Sequence, residues 1–172
     1  MKKVLLFFAV MLTIITAGCE KQNKTDFSSE DSCNSFTAKA EITFRDLYMT
    51  AQITRSKNGE LKVKFITPES LSALETVCID GECSASFDGI EFSTDSGRFP
   101  QAEFTAIAAQ AFDYVQAGID LKKTVSDGKT TYHGSTDSGV FALNRDSQSG
   151  NWLDLSVEGA QLHIVFKEFK PE

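Results

Sequence analysis

Few residues have side chains suited to catalysis, and their spacing does not support it. His133 and His163 both lie in strand-like runs, and neither has a partner at the spacing that zinc ligands need. The segment from Gly134 to Gly139 lacks a serine with glycine two residues to either side, which a hydrolase turn requires. Residues 146–152 are oxygen-rich but lack the further acidic ligands of a calcium loop, so they predict a hairpin loop. The sequence therefore indicates a protein that is not an enzyme, with no metal and no cofactor.

Two cysteines are spaced for a bond across a hairpin. Cys78 and Cys83 enclose Asp80-Gly81, a strong signal for a two-residue turn. In that register the cysteines form a non-hydrogen-bonded pair at a separation that a disulfide spans, and outside the cytoplasm the pair is expected to oxidise. A redox or metal pair is the alternative, although four residues intervene and no histidine is near. This pairing leaves Cys33 without a cysteine partner in the chain, so Cys33 is either a free thiol or bonded to another molecule.

The first nineteen residues have the three-part plan of a secretory signal. Lys2 and Lys3 precede an uncharged apolar run, residues 4–15, which is too short to span a bilayer. The small residues that lead to Cys19 resemble the lipobox of bacterial lipoproteins. That resemblance implies that residues 1–18 are removed and that Cys19 carries a diacylglyceryl group. An ordinary signal with a chance cysteine is the alternative. We expect a lipid-anchored protein on the extracytoplasmic face of a cell membrane, because two or three acyl chains make a stable anchor.

Composition limits the domain count and the partners. Residues 19–34 hold the lipidated cysteine and a polar stretch that predicts a flexible tether. Residues 35–172 are enough for one domain with a real core. Loss of Lys2 and Lys3 lowers the basic count from 17 to 15 against 24 acidic residues, a formal charge of −9 for the mature chain. Phosphate backbones repel such a chain, so nucleic acid is not an expected partner.

Alternating apolar residues predict an antiparallel sheet. From Phe36 to Phe44 every second residue is apolar, and the other positions are polar, as in a half-buried strand. Similar runs and the turn dipeptides between them predict a meander of about eight strands. The further runs are Leu47–Ile53, Leu61–Phe65, Val140–Asn144, Trp152–Val157 and Gln161–Phe169, and the turns are Asn58-Gly59, Asp88-Gly89, Asp127-Gly128, Ser149-Gly150 and Glu158-Gly159.

Two segments depart from the strand pattern. Thr67 to Leu71 predicts a short helical turn with Thr67 as cap and Pro68 at its first position. A longer helix is predicted from about Pro100 to Ala117, ending at Gly118, with one apolar stripe. Only the apolar face of the sheet can bury that stripe, which contains Phe104, Ile107, Ala108, Ala111, Phe112 and Val115.

The order of these elements, with "FITPESL", "IDGEC", "FDGIEF" and "GVFALNRDSQSGNWLDLSVEGAQLHIVFKEF", resembles the LolA/LolB type of lipoprotein-carrier fold, which RseB-like periplasmic proteins share. The resemblance covers residues 36–169. It implies a mainly β fold with helices (α+β), in which a curved antiparallel sheet or half-open β-barrel is covered by one main helix. Carriers of this type are soluble and begin with a helix, whereas this chain has a polar tether and a predicted anchor.

The resemblance makes the lining of the concavity the candidate site. Aromatic, leucine and methionine side chains form an adaptable apolar wall suited to lipid or an acyl chain. The predicted function is a membrane-anchored lipoprotein that binds a hydrophobic ligand there. The alternative is an envelope interaction, sensor or scaffold protein with a packed core and no ligand. The candidate residues are Phe44, Met49, Phe65, Leu71, Leu74, Phe87, Phe92, Phe104, Ile107, Phe112 and Phe141.

Overall fold

The computed structural model describes residues 35–93, 100–118 and 120–172, with the backbone alone for Phe92 and Ser93. The predicted signal peptide, Cys19, the tether and Cys33 lie outside these residues. The described part contains eleven strands, one long helix and the 3₁₀ turns Glu69–Leu71 and Glu158–Ala160. The strands are β1 (Phe36–Phe44), β2 (Leu47–Arg55), β3 (Leu61–Thr67), β4 (Leu74–Ile79), β5 (Glu82–Phe87), β6 (Ile90–Ser93), β7 (Lys122–Ser126), β8 (Lys129–Thr136), β9 (Gly139–Asp146), β10 (Trp152–Val157) and β11 (Leu162–Pro171), and the helix is α1 (Pro100–Ala117).

All the strands belong to one antiparallel sheet with open edges. Their order is β6-β5-β4-β3-β2-β1-β11-β10-β9-β8-β7, so the first and last strands pair in the middle of the sheet. The sheet curves around α1, which packs on β3, β4 and β5 on one side and on β8 on the other. The predicted fold class, a curved antiparallel sheet or half-barrel covered by one helix, is confirmed.

The hairpins form where the sequence places residues that tolerate positive φ. Asp80 and Gly81 have φ of 51° and 82°, as a two-residue turn between β4 and β5 requires. Asp88-Gly89 and Asp127-Gly128 have the same combination of angles. These turns fix the register of the strands that they join, so each strand keeps its apolar residues on the concave face.

The helix has the predicted bounds. It ends before Gly118, which has a φ of 64° and donates its N–H to the carbonyl oxygens of Tyr114 at 3.0 Å and Val115 at 3.3 Å. Its buried face contains every residue of the predicted stripe. The buried residues of α1 are Ala102, Phe104, Thr105, Ile107, Ala108, Ala109, Ala111, Phe112 and Val115.

The strands give the domain two ends. We call the end where β1 begins and β11 finishes the terminal end, because Ser35 lies there beside Glu172. We call the opposite end the distal end. The helix runs from the distal to the terminal end, since its first turns lie at the end of β1 and its last turns at the end of β2. The distal turns are residues 45–46, 68–73, 88–89, 137–138 and 158–161.

The predicted turn around Pro68 forms with a different cap. Pro68 itself occupies the cap position, and no side chain caps the 3₁₀ turn Glu69–Leu71. The prediction of Thr67 as cap is wrong because its hydroxyl has other partners. Thr67 Oγ1 lies 2.7 Å from Thr50 Oγ1 and accepts the Thr50 N–H at 3.1 Å. The hydroxyl therefore holds the end of β3 to β2.

Candidate functional site

Most side chains predicted to line a ligand cavity are buried in the core. Leu71 is partly buried against this core, and the exposed fraction of Phe87 is 45%. The side chain of Phe92 lies outside the described residues. The eight buried residues of the predicted set are Phe44, Met49, Phe65, Leu74, Phe104, Ile107, Phe112 and Phe141.

Rings from the helix fill the distal half of the concave face. The ring centroid of Phe104 lies 6.0 Å from that of Phe44 and 5.8 Å from that of Phe65. These are ordinary distances for packed aromatic pairs, and all three side chains are almost fully buried. The space between helix and sheet is occupied by protein here.

A second aromatic cluster fills the terminal half. The ring centroid of Phe112 lies 5.5 Å from the centroid of Phe36, 5.6 Å from that of Trp152 and 6.1 Å from that of Phe166. The sequence-based site included Phe112 but omitted its three partners. Phe36 and Phe166 continue the alternation of β1 and β11, so that pattern was the signal for them. Together the two clusters join α1 to both halves of the sheet.

A buried arginine, absent from the predicted site, fixes the end of the helix. Arg55 is fully buried, and its Nη2 donates to Asp113 Oδ1 at 2.7 Å and to Gln116 Oε1 at 3.0 Å. Its Nη1 donates to the Gly59 carbonyl oxygen at 3.1 Å, and its Nε is buried without a partner. The guanidinium also lies 5.4 Å from the centroid of the Phe112 ring. Arg55 continues the inward positions of β2, which is the signal that marks it.

A second ion pair holds the first turns of α1. Arg45 Nη2 donates to Glu103 Oε1 at 2.6 Å, and the same guanidinium lies 4.6 Å from the centroid of the Phe44 ring. Both side chains are partly exposed, so this pair orients the helix more than it stabilises the fold.

The solvent-facing side of α1 borders an open cleft of about 500 Å³. The cleft lies between the helix, the β4–β5 hairpin and the turn between β8 and β9. Its polar groups include the carboxylates of Glu103, Asp113 and Asp137 and the amide of Gln110. Two of these carboxylates already bond arginine. The cleft offers hydrogen-bond acceptors beside an apolar wall, to which Cys78, Cys83, Ala106, Ile107 and Ala109 contribute.

The predicted disulfide is present at the base of this cleft. Cys78 and Cys83 are bonded with S–S 2.02 Å and Cα–Cα 4.2 Å, and they are directly paired in the β4–β5 ladder. Cys78 is buried, whereas Cys83 is partly buried against the core. The bond fixes the register of this hairpin beside the helix.

Neither histidine belongs to a metal site in the described residues. His163 pairs with Thr43 and Ser156, and His133 pairs with Ala142 and Lys122, in separate parts of the sheet. The described part of the chain holds no group of three or more His, Cys, Asp or Glu residues that could bind a metal ion.

The oxygen-rich segment 146–152 forms the predicted hairpin loop between β9 and β10. Asp146 Oδ1 accepts hydrogen bonds from the Ser149 N–H at 2.6 Å, the Ser149 hydroxyl at 2.7 Å and the Gln148 N–H at 3.1 Å. The bonds from Ser149 are the main reason that the pKa of Asp146 is lowered, because they stabilise its charged form. The carboxylate closes a turn and does not bind a ligand in this arrangement.

Large apolar side chains are exposed mainly at the distal end. Ile90 is the most exposed of them at 72%, and it pairs with Phe87 at the β5–β6 turn. Val125, on the edge strand β7, is the exception at the terminal end. The distal set is Leu47, Tyr48, Ile66, Phe87, Ile90 and Val140. In the part of the chain that the structure describes, no helix is long and apolar enough to cross a membrane.

Comparison with known proteins finds similarity only at the level of structure. No family model matches the sequence, and no curated protein matches it. An uncharacterised conserved protein from Thermus thermophilus is similar with a TM-score of 0.51 and 12% identity, over 83% of this chain and 82% of that one. A LolA superfamily protein from Nitrosomonas europaea has a TM-score of 0.40 and 10% identity, over 81% and 86% of the two chains.

A third similar chain comes from the complex of the CwlD amidase with the GerS lipoprotein from Clostridioides difficile. Its TM-score is 0.48 at 14% identity, over 99% of this chain and 95% of that one. At sequence identities this low, the similarity concerns the fold alone. The structures similar to this chain thus include a LolA superfamily protein, the type of fold that the order of elements resembles.

Proposed function

We propose that this chain is an extracytoplasmic lipoprotein, held at a membrane through Cys19, whose domain binds a partner protein by its outer surface. The observation that carries the proposal is that, among the described residues, aromatic rings of the helix pack in two clusters against the concave face of the sheet. Phe104 and Phe112 of the helix are fully buried and in ring contact with both halves of the sheet. The LolA-like fold is compatible with binding of lipid or of protein, and the packed core favours protein.

An acyl chain would need the space that these rings occupy. Ligand pockets in proteins typically enclose roughly 300–1,000 Å³ with a mainly apolar lining. The open cleft has a volume in that range, but three carboxylates line it. Hydrocarbon placed there would desolvate charged groups without pairing them, which is unfavourable. The geometry therefore supports recognition at the surface.

The membrane anchor rests on the sequence before Ser35. A cysteine with two or three acyl chains binds membranes stably, and the polar residues 20–34 then separate the domain from the bilayer. The domain begins at the terminal end, beside the C-terminus. The tether is thereby connected to the end opposite the exposed apolar side chains.

One observation favours binding of a hydrophobic ligand as a second candidate function. Phe87 and Ile90 lie on the concave face at its edge, and they are 45% and 72% exposed. A lipid chain resting on these side chains would extend along the concave face without entering the core. This candidate and the first differ in whether the domain takes up lipid.

The test is lipid uptake by the mature chain with Cys19→Ala, exported through a signal that directs no lipidation. Native mass spectrometry and titration with a fluorescent fatty acid should show the protein mass alone and no saturable uptake. A one-to-one complex would overturn the proposal. If Phe87→Asp abolished that complex while Val125→Asp, at the terminal end, left it intact, the second candidate would replace the first.

The anchor has its own test in cells. Mass spectrometry of the N-terminal peptide should show a diacylglyceryl group on Cys19, and Cys19→Ala within the native signal should accumulate as an unprocessed precursor. An unmodified N-terminus after cleavage would show an ordinary secreted protein instead.

A further inference from the structure

We propose that the distal end of the domain is a docking surface for a partner protein that presents an apolar patch ringed by lysine or arginine. This inference rests on the proposed function and names its contact surface. It follows from two features of the described residues, the exposed apolar side chains and the charge of the distal turns, and from the anchor proposed at Cys19.

The apolar side chains lie on neighbouring strands. Leu47 and Tyr48 begin β2, Ile66 lies near the end of β3, and Phe87 and Ile90 flank the turn between β5 and β6. Leu47, Phe87 and Ile90 lie on the concave side of the sheet, because each pairs with a residue of that face. Tyr48 and Ile66 alternate with buried residues, so they lie on the convex side of the same end. Isolated exposed apolar residues are ordinary, but a group at one end of a domain is typical of interaction surfaces.

The distal turns are acidic. Their charged side chains are Asp46, Glu69, Asp88, Asp137 and Glu158, with Arg45 as the only cation in those turns. Arg45 is already bonded to Glu103 of the helix. An end of the domain with exposed apolar side chains and acidic turns is complementary to an apolar patch bordered by basic groups.

The same charges disfavour two other occupants. A second copy docked through this end by twofold symmetry would place acidic turns opposite acidic turns. An anionic lipid surface would repel the same turns. A basic protein surface is the occupant for which charge and apolar contact act in the same direction.

The position of the tether also separates this end from the membrane. The nine residues of β1 span about 30 Å from the terminal to the distal end. The anchor proposed at Cys19 joins the domain at the terminal end. The distal end is therefore open to a partner protein that lies further from the membrane.

The experiment uses the full chain in its host cells, with a photo-crosslinking residue at Leu47, at Gln110 in the cleft, or at Val125 at the terminal end. We expect the Leu47 position to give a defined protein adduct, whose crosslinked segment is apolar with lysine or arginine beside it. Ile90→Glu should lower the yield at least roughly tenfold, because it places a carboxylate at the most exposed apolar position of the same face. Val125→Glu is the matched control and should leave the yield unchanged.

Folding is checked separately, since a misfolded variant would also lose the adduct. Ile90 is mostly exposed, so Ile90→Glu should keep the wild-type circular dichroism and unfolding midpoint. Phe87→Ser is a second variant with the same expected loss of adduct. For the purified complex, affinity should fall as salt rises, because the contact pairs opposite charges.

Three outcomes would overturn the inference. Adducts formed from Gln110 and absent from Leu47 would move docking to the cleft and leave the proposed function intact. Self-adducts at Leu47 would show a second copy as the occupant. Sedimentation of the chain with vesicles of phosphatidylglycerol and phosphatidylcholine that Ile90→Glu abolishes would show a membrane contact. Saturable fatty-acid uptake, by contrast, would remove the proposed function itself.

Discussion

The Arg55–Asp113 pair makes a quantitative prediction about what holds the helix in the concavity. Asp113→Asn keeps a hydrogen-bond acceptor of the same shape but removes the charge opposite a fully buried guanidinium. At a charge separation of about 4 Å the attraction is ~4 kcal/mol at an effective dielectric of ~20 and ~1 kcal/mol in water. The Asp113 side chain is 46% exposed, so the energy of its attraction to Arg55 lies between these two values. We expect a loss of about 2 kcal/mol in the free energy of unfolding.

The assay is urea unfolding of the mature chain with Cys19→Ala, followed by the fluorescence of Trp152. This is the only tryptophan in the sequence, and its ring packs on Phe112 beneath the pair. The dependence of the free energy on urea concentration should be unchanged, so the midpoint alone should shift. Asp137→Asn is the matched control, because this exposed carboxylate has no ion pair in the described residues. It should cost less than about 0.5 kcal/mol.

A double-mutant cycle separates the ion pair from general effects of the substitution. In an Arg55→Met background the charge on the sheet is gone, so Asp113→Asn should then cost close to nothing. Equal losses in the wild-type and Arg55→Met backgrounds would refute the reasoning. A loss no larger than that of the Asp137→Asn control would refute it as well.

Three further predictions concern the core, the disulfide and one turn. Phe112→Ala should lower the free energy of unfolding by about 3–5 kcal/mol, because it leaves a cavity among packed rings, and urea unfolding measures this loss. Reduction of Cys78–Cys83 should cost about 2 kcal/mol for so short a loop, whereas a variant with alanine at both positions should not respond to reductant. Asp146→Ala should destabilise the fold above the ordinary pKa of 3.8, and the difference from wild type should shrink as pH falls through the lowered folded pKa. Unfolding curves from pH 7 to pH 2 test this, and a difference that grows with acidity would contradict it.

The parts of the fold that the sequence predicted are those with local causes. The alternation of β1, the Asp80-Gly81 turn and the end of α1 at Gly118 each depend on a few adjacent residues. The disulfide belongs to this group, because a two-residue turn fixes which residues face each other. Such features need no knowledge of distant segments.

Features that depend on distant segments were not predictable in the same way. Alternation places Phe44 and Phe65 on one face, but only the position of Phe104 shows that a ring of the helix packs between them. The partner of Arg55 lies 58 residues along the chain. The inward position of Arg55 was visible in β2, whereas the identity of its counter-ion was not.

The turn after β10 also differs from its prediction because of a contact with a distant segment. Glu158-Gly159 was predicted to be a two-residue turn, but the chain forms a 3₁₀ turn there, and Gln161 takes the positive φ of 53°. Gly159 is required for a different reason, because a Cβ would lie 2.5 Å from the Ser138 carbonyl oxygen of the neighbouring turn. Turn dipeptides therefore locate a bend more reliably than they identify which residue adopts the unusual angle.

The helix is long enough to cover the central strands, but it does not cover the whole concave face of the sheet. Eighteen residues of α1 span about 27 Å, close to the length of the central strands, and the buried face of the helix fills the space over them. Towards the β5–β6 edge the described residues leave part of the same face exposed, at Phe87 and Ile90. A sheet with more apolar concave surface than one helix buries must leave some of it in water or give it to another molecule. Because the turn beside the exposed part, Asp88-Gly89, is acidic, the occupant that we propose is a basic protein surface and not an anionic bilayer.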